Sequence, residues 1–344
     1  MSRWILASAA LVLLTAGSCQ GKKNDDQEQQ VSAMVEVAGI GERPFDAERA
    51  YTHIERQLGF GPRVPNTEAH KECASYLATQ LRESGLEVTV QEMTLQAYDG
   101  TELEAFNIIG AYNPEASHRV MLFAHWDTRP FADHDPAPVR QREPIAGADD
   151  GASGPAVLLE IGRLLGEIGL EQLGVDIMLF DAEDYGVPAW EQYEGDSTDT
   201  WALGTQYWTK NPHQAGYNAD FGILLDMVGA KGATFYREYF SQEYAGKQVT
   251  MIWQTAKALG HETFFVNQMG GAVTDDHYFV IRNMRIPAVD IINHDPDSKT
   301  DFFGHYWHTH KDDIEVIDRK TLQAVGETVW QVLLNYDTVL SVKP

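Results

Sequence analysis

Apolar and polar positions follow two rhythms along this chain. Four short stretches, RVMLFAHWD (119–127), VDIMLFDAED (175–184), FGILLDMVG (221–229) and IPAVDIIN (286–293), begin as nearly continuous hydrophobic runs. Runs of that length are expected of strands buried on both faces of a largely parallel sheet. LEVTVQEMTL (86–95) alternates residue by residue and predicts an edge strand. Helical spacing appears in AHKECASYLATQLRESG (69–85), GPAVLLEIGRLLGEIG (154–169), AGKQVTMIWQTAKALG (245–260) and LQAVGETVWQVLLNYD (322–337). Strand-like and helix-like segments that take turns predict an α/β fold, a three-layer α/β/α domain around a mostly parallel, mixed central sheet. No repeat or linker interrupts the pattern after residue 40, so residues 41–344 are expected to form one domain.

The first forty residues obey a different rule. MSRWILASAALVLLTAGSC (1–19) carries one arginine, an apolar run from Trp4 to Leu14, and small residues leading to Cys19. The run is too short for a transmembrane helix and has the shape of an export signal. Small residues before a cysteine resemble a bacterial lipoprotein signal, in which Cys19 becomes the lipidated first residue; cleavage as an ordinary signal is the alternative. Residues 20–40 begin with polar QGKKNDDQEQQ and read as a flexible tether. The expected location is the periplasm or outer membrane of a bacterium, or outside the cell, with membrane contact only through the lipid.

Composition then removes some possibilities. A hydrophobic fraction of 43% suits a packed globular protein, and a net charge of −25, spread along the chain, argues against nucleic acid as a partner. Apart from Cys19 the only cysteine is Cys73, so no internal disulfide is expected, and Cys73 reads as a small buried residue on a helix.

Polar residues collect where the apolar runs stop. The first run ends in His125 and Asp127, the second in Asp181, Glu183 and Asp184, the third in Asp226. In open α/β sheets ligands bind beyond the carboxyl ends of the strands, so three strands ending this way point to one site. Between the first two runs, PIAGADDGASGPAVLLE (144–160) places Asp149 and Asp150 side by side before a helix. They could cap that helix, a role Ser153 could also fill, but two adjacent carboxylates repel and a bound cation relieves the repulsion.

Taken in order, GADDGASG, FDAEDYG, LLDMVG, TDDHYF and WHTHKDD resemble the zinc aminopeptidase fold of the M28 type, and within it most closely the glutaminyl cyclases. The resemblance spans roughly residues 45 to 340 and implies one zinc ion held by Asp150, Asp184 and His308. Animal-type cyclases usually carry glutamate where Asp184 stands, and aspartate shortens the reach by one methylene. The resemblance further implies that Glu183 shuttles the proton, that Asp226 and Asp276 complete a hydrogen-bonded acid network, and that Trp307, Phe303 and Trp190 wall a glutamine pocket. Trp190 matches only after a one-residue insertion. His310 reads as a surface or supporting residue. The implied reaction cyclises the N-terminal glutamine of peptides or proteins to pyroglutamate and releases ammonia. Two-zinc aminopeptidases of the same fold add a second metal at His125 and Asp226 with Asp150 as the bridge, and every one of those ligand types is present here. A binding protein on an inactive peptidase fold is a third reading, disfavoured because no ligand is missing.

Overall fold

In the computed structural model, which describes residues 43–298 and 302–342, the apolar runs form the centre of a six-stranded sheet. The chain enters through α1 (Ala47–Leu58) and α2 (Glu68–Glu83), then makes β1 (Glu87–Gln96), β2 (Glu102–Tyr112) and β3 (His118–His125). Next come α3 (Ser153–Glu167), β4 (Leu173–Phe180), α4 (Leu203–Lys210), β5 (Phe221–Asp226) and β6 (Phe235–Arg237). The rest is α5 (Tyr239–Leu259), β7 (Phe265–Met269), the single turn α6 (Asp276–Phe279), β8 (Ala288–Ile292) and α7 (Arg319–Val342). The segment read as export signal and tether, with Cys19, lies outside the described residues. Among the described residues no helix is long and apolar enough to cross a membrane.

Strand order is β1-β2-β4-β3-β5-β8. β4, β3, β5 and β8 run parallel, while β2 pairs antiparallel with both β1 and β4. β1 thus occupies the edge that its alternating pattern predicts. β2 is a strand the apolar pattern did not announce: Glu102 and Glu104 are exposed at its start, and only from Phe106 onward does it turn continuously inward.

Period-two side-chain placement divides the core into layers. Val120, Leu122 and Ala124 of β3, with Val175, Ile177 and Leu179 of β4, point to a face covered by α1, α2, α3, α5 and α7. Met121 and Phe123, with Met178, Phe180 and Leu224, point to the opposite face, against Trp208 of α4 and Val280 and Ile281 after α6. This is the expected three-layer arrangement. Cys73 of α2 is buried in the first layer, where burial pushes its thiol up to about 12 and keeps it protonated at neutral pH. The parallel strands share a direction, so their carboxyl ends, carrying His125, Asp181 and Asp226, open on one edge of the sheet.

Candidate metal centre and pocket

Asp150 is the pivot of the site. It belongs to the loop before α3, but α3 has no side-chain cap, so neither Asp149 nor Asp150 caps it. Asp149 instead accepts hydrogen bonds from Gly229 N (2.7 Å) and the Tyr306 hydroxyl, and burial raises its carboxyl to about 6. Ser153 ties this loop to the segment after β5, donating to Asp149 O (2.6 Å) and accepting from Val228 N (3.0 Å). Asp150 is thereby aimed between two histidines. Its Oδ1 lies 3.1 Å from His125 Nε2, and its Oδ2 lies 3.5 Å from His308 Nε2. Gly151 is required next in line: φ is +102°, and an added Cβ would lie 2.1 Å from Asp127 O.

Two triads share this carboxylate. Asp150, Asp184 and His308 form one, and His125, Asp150 and Asp226 the other; every member is buried. His308 Nε2 is 3.2 Å from Asp184 Oδ1, and His125 Nε2 is 3.2 Å from Asp226 Oδ1. Ligand atoms around a tetrahedral zinc, with bonds of about 2.0–2.1 Å, stand about 3.3 Å apart. Both triads therefore have metal-ligand spacing. The buried Asp184 Oδ2 has no hydrogen-bond partner among the described residues, an open lone pair of the kind a cation takes up. The donor set, carboxylate oxygens with imidazole, suits zinc.

Charges around the first triad are held from behind. Arg129, fully buried, grips Asp133 through two bonds of 2.7 Å and reaches Asp184 O (3.0 Å) and Oδ1 (3.4 Å). Asp133 Oδ1 stands 3.4 Å from His308 Nδ1, the carboxylate–histidine arrangement that leaves Nε2 facing a metal. Burial opposes a charge on His308, but Asp184 and Asp133 outweigh it and lift the imidazole above its ordinary range. The backbone is clamped in the same manner. Asp127 accepts from Glu183 N (3.0 Å) and Asp184 N (3.2 Å), while Asp312 accepts from Asp149 N (2.8 Å) and Asp150 N (3.1 Å). Three residues at the site, Ala182, Met227 and His308, adopt left-handed φ values of 51°, 48° and 53°, backbone strain that the clamps sustain.

Beyond the triad is a pocket of about 330 Å³ lined by Glu183, Asp226, Asp275, Trp201, Phe303 and Trp307 among others. Trp307 stacks on His308 with ring centroids 3.7 Å apart and 25° between planes, and Phe303 leans on Trp307 at 4.7 Å. Glu183 is buried beside the triad; burial, with Asp275, Asp184 and Asp276 nearby, raises its carboxyl well above the usual range, although His125 pulls the other way. Burial also lifts Asp226 to about 6 and Asp275 to about 7, the latter helped by Asp226.

Two expected positions move. Trp190 is not in the pocket: it packs edge-on against Phe131 at 5.4 Å, under Arg142. Trp201 lines the pocket instead, parallel to His308 at 6.2 Å, with the Arg129 guanidinium 4.7 Å from its ring. Gly186, two residues past Asp184, makes this possible, because a Cβ there would come within 2.2 Å of the Trp201 ring. The second displacement concerns TDDHYF. Asp275, which also caps α6, lines the pocket, and Asp276 is buried behind it, where burial and Asp275 raise it to about 8. His310 is half-buried and bonds Asp135 at 2.9 Å. Arg129, Asp133, Asp275, Trp201 and Asp312 were not among the expected site residues. For Arg129 and Asp133 the signal available was the charged stretch RPFADHD (129–135) shortly after a site-bearing strand, while Asp275 and Asp312 lie within the motifs TDDHYF and WHTHKDD.

The chain is similar to known proteins. Residues 107–333 match the sequence profile of peptidase family M28. The crystal structure of a Zn-dependent exopeptidase from Parabacteroides distasonis superposes with a TM-score of 0.83 at 52% identity, over 86% of this chain and 100% of that one. Tannerella forsythia glutaminyl cyclase is 54% identical, with a TM-score of 0.82 over 85% of this chain and 99% of its own. The glutaminyl-peptide cyclotransferase of Drosophila melanogaster is 23% identical over 290 residues, 80% of this chain and 77% of that protein.

Proposed function

The chain belongs to peptidase family M28, and we propose that it acts there as a glutaminyl-peptide cyclotransferase, converting N-terminal glutamine to pyroglutamate with release of ammonia. The carrying observation is the small pocket whose wall, Trp307, stacks directly on the triad residue His308. A flat aromatic wall beside the metal position fits a glutamine amide lying with its carbonyl oxygen toward the triad. The identity to the Tannerella forsythia cyclase supports the same reading.

A single zinc held by Asp150, Asp184 and His308 would supply a Lewis acid for the γ-carbonyl oxygen. Trp307, Phe303 and Trp201 hold the side chain so that its Cδ faces the substrate's own α-amine. The α-nitrogen attacks Cδ, forming the ring C–N bond, and Glu183 accepts the proton that this nitrogen sheds. Glu183 then delivers the proton to the amide nitrogen as the Cδ–N bond breaks, and ammonia leaves. No water is consumed. Burial among other acids raises the Glu183 carboxyl and so strengthens it as the base that takes the proton from the α-nitrogen. Asp226 and Asp275, beside it in the pocket, cannot all carry full charge together, so the group shares protons.

The spacing of His125, Asp150 and Asp226 favours a second reading, a two-zinc aminopeptidase in which Glu183 activates a metal-bound water. Titrating zinc into metal-free protein separates the two. Ammonia release from a Gln-initiated peptide that saturates at one zinc per chain supports the cyclase; peptide-bond hydrolysis that requires two supports the peptidase. For the N-terminus we propose export and lipidation at Cys19, supported by the apolar run and the small residues before it. Membrane partitioning unchanged in Cys19→Ser would contradict this.

A further inference from the structure

Next to the glutamine pocket, across a ridge of aromatic rings, lies a larger cavity of about 720 Å³. The ridge connects the two. Phe302 walls the first pocket and stacks on His294, with centroids 5.0 Å apart and 15° between planes. His294 in turn meets Tyr236 at 4.5 Å, and Tyr236 lines the second cavity. The rings rest on a glycine pair. A Cβ on Gly271 would come within 2.7 Å of the Phe302 ring, and one on Gly270 within 3.2 Å of Tyr236 Cβ. Phe302 leaves 48% of its surface exposed at the mouth of the pocket, so the ridge is open to a bound chain.

We infer that the second cavity binds the residues that follow the N-terminal glutamine, and that preferred substrates are peptides of at least four residues with a cationic side chain near the fourth. The inference rests on the cyclase reading and names its substrate class. Reach supports it: ring centroids along the ridge are 5.0 Å apart from Phe302 to His294 and 4.5 Å from His294 to Tyr236, and an extended chain advances about 3.3–3.6 Å per residue, so the residue three positions after the glutamine can reach the cavity. Charge supports it too. Among the described residues around the cavity, Asp295, Asp297, Asp313 and Glu315 outnumber Lys231 and Lys311, leaving a negative balance. The ridge itself offers ring faces to peptide planes and apolar side chains.

The test compares kcat/KM for ammonia release from three amidated peptides, Gln-Ala, Gln-Ala-Ala-Lys and Gln-Ala-Ala-Glu, with the full-length zinc-loaded protein. The lysine peptide should exceed the dipeptide by about tenfold, the scale of one well-formed apolar contact, and should also exceed the glutamate peptide. In Tyr236→Ala the ratio of lysine tetrapeptide to dipeptide should fall toward one. In the double variant Asp297→Lys, Glu315→Lys, both positions being exposed, the preference should turn toward the glutamate peptide. Dipeptide turnover in each preparation reports whether the variant is folded, and the charge variant tests the cavity independently of the ridge. Equal kcat/KM for all three peptides in the wild type would overturn the inference while leaving the cyclase reading standing. No ammonia from any of them would remove both.

Discussion

Asp127 is fully buried and never touches the expected zinc, yet replacing it with asparagine should disable the site. Its two oxygens receive the consecutive amides of Glu183 (3.0 Å) and Asp184 (3.2 Å), fixing the proton shuttle and a metal-facing carboxylate at once. Asparagine keeps one acceptor and turns an NH₂ toward the other amide. One charge-assisted hydrogen bond, worth about 1.5–3 kcal/mol, is lost, and the other becomes a neutral bond of about half that strength. The sum is about 2–4 kcal/mol. At roughly 2 °C per kcal/mol for a chain of this size, the melting temperature should fall by about 4–8 °C. The loop that carries Asp184 also loosens, so zinc binding should weaken by about 10–100-fold, the usual scale for groups that support metal ligands from behind. Thermal unfolding, with and without a chelator, and competition for zinc against a chromophoric chelator measure the two effects. A variant that melts within about 1 °C of the parent and holds zinc equally well would refute the clamp.

Three further outcomes follow from the same geometry. Glu183→Gln should fold and retain zinc while losing about 10²–10⁴-fold in turnover, because the amide cannot relay a proton; near-normal ammonia release would remove Glu183 from the chemistry. Trp307→Ala should also keep its zinc, since His308 is untouched, but cyclisation should fall severely with the loss of the wall stacked at 3.7 Å; a variant that gains activity on Leu-initiated peptides instead would favour the peptidase reading. Glu238 caps α5, accepts from Val273 N at the pocket loop and pairs with His277 at 3.0 Å; although burial opposes it, His277 and these amides hold the carboxyl at about 2. A folded-state pKa below the unfolded one contributes stability above about pH 4.5 that disappears as the pH falls toward 2, so the stability gap between wild type and Glu238→Gln, on the order of 3 kcal/mol at neutral pH, should close over that interval; a gap independent of pH would contradict the assignment.

The sheet was legible because four of its strands are buried on both faces and leave unbroken apolar runs. β2 was not, since its first half is half-solvated and its glutamates break the run. Asp150, Asp184 and His308 could be placed from ordered motifs, because each follows a strand end or a glycine-bound turn that fixes its direction. The aromatic wall was harder. Trp201 reaches the pocket from another loop through space opened by Gly186, whereas the resemblance, after a one-residue insertion, pointed to Trp190. Asp275 and Asp276 are neighbours on one turn, and only the helix start, with Asp275 as its cap, decides which of them faces the pocket. Arg129, Asp133 and Asp312 act on the site through other residues, and such roles leave no spacing pattern to read.

Wild-type protein loaded with zinc should be given a Gln-initiated and a Leu-initiated peptide side by side, with ammonia and free amino acids quantified in each. Ammonia and a pyroglutamyl product from the first, with the second left intact, are the predicted results. Free leucine from the second, with the glutamine peptide left uncyclised, would contradict the account.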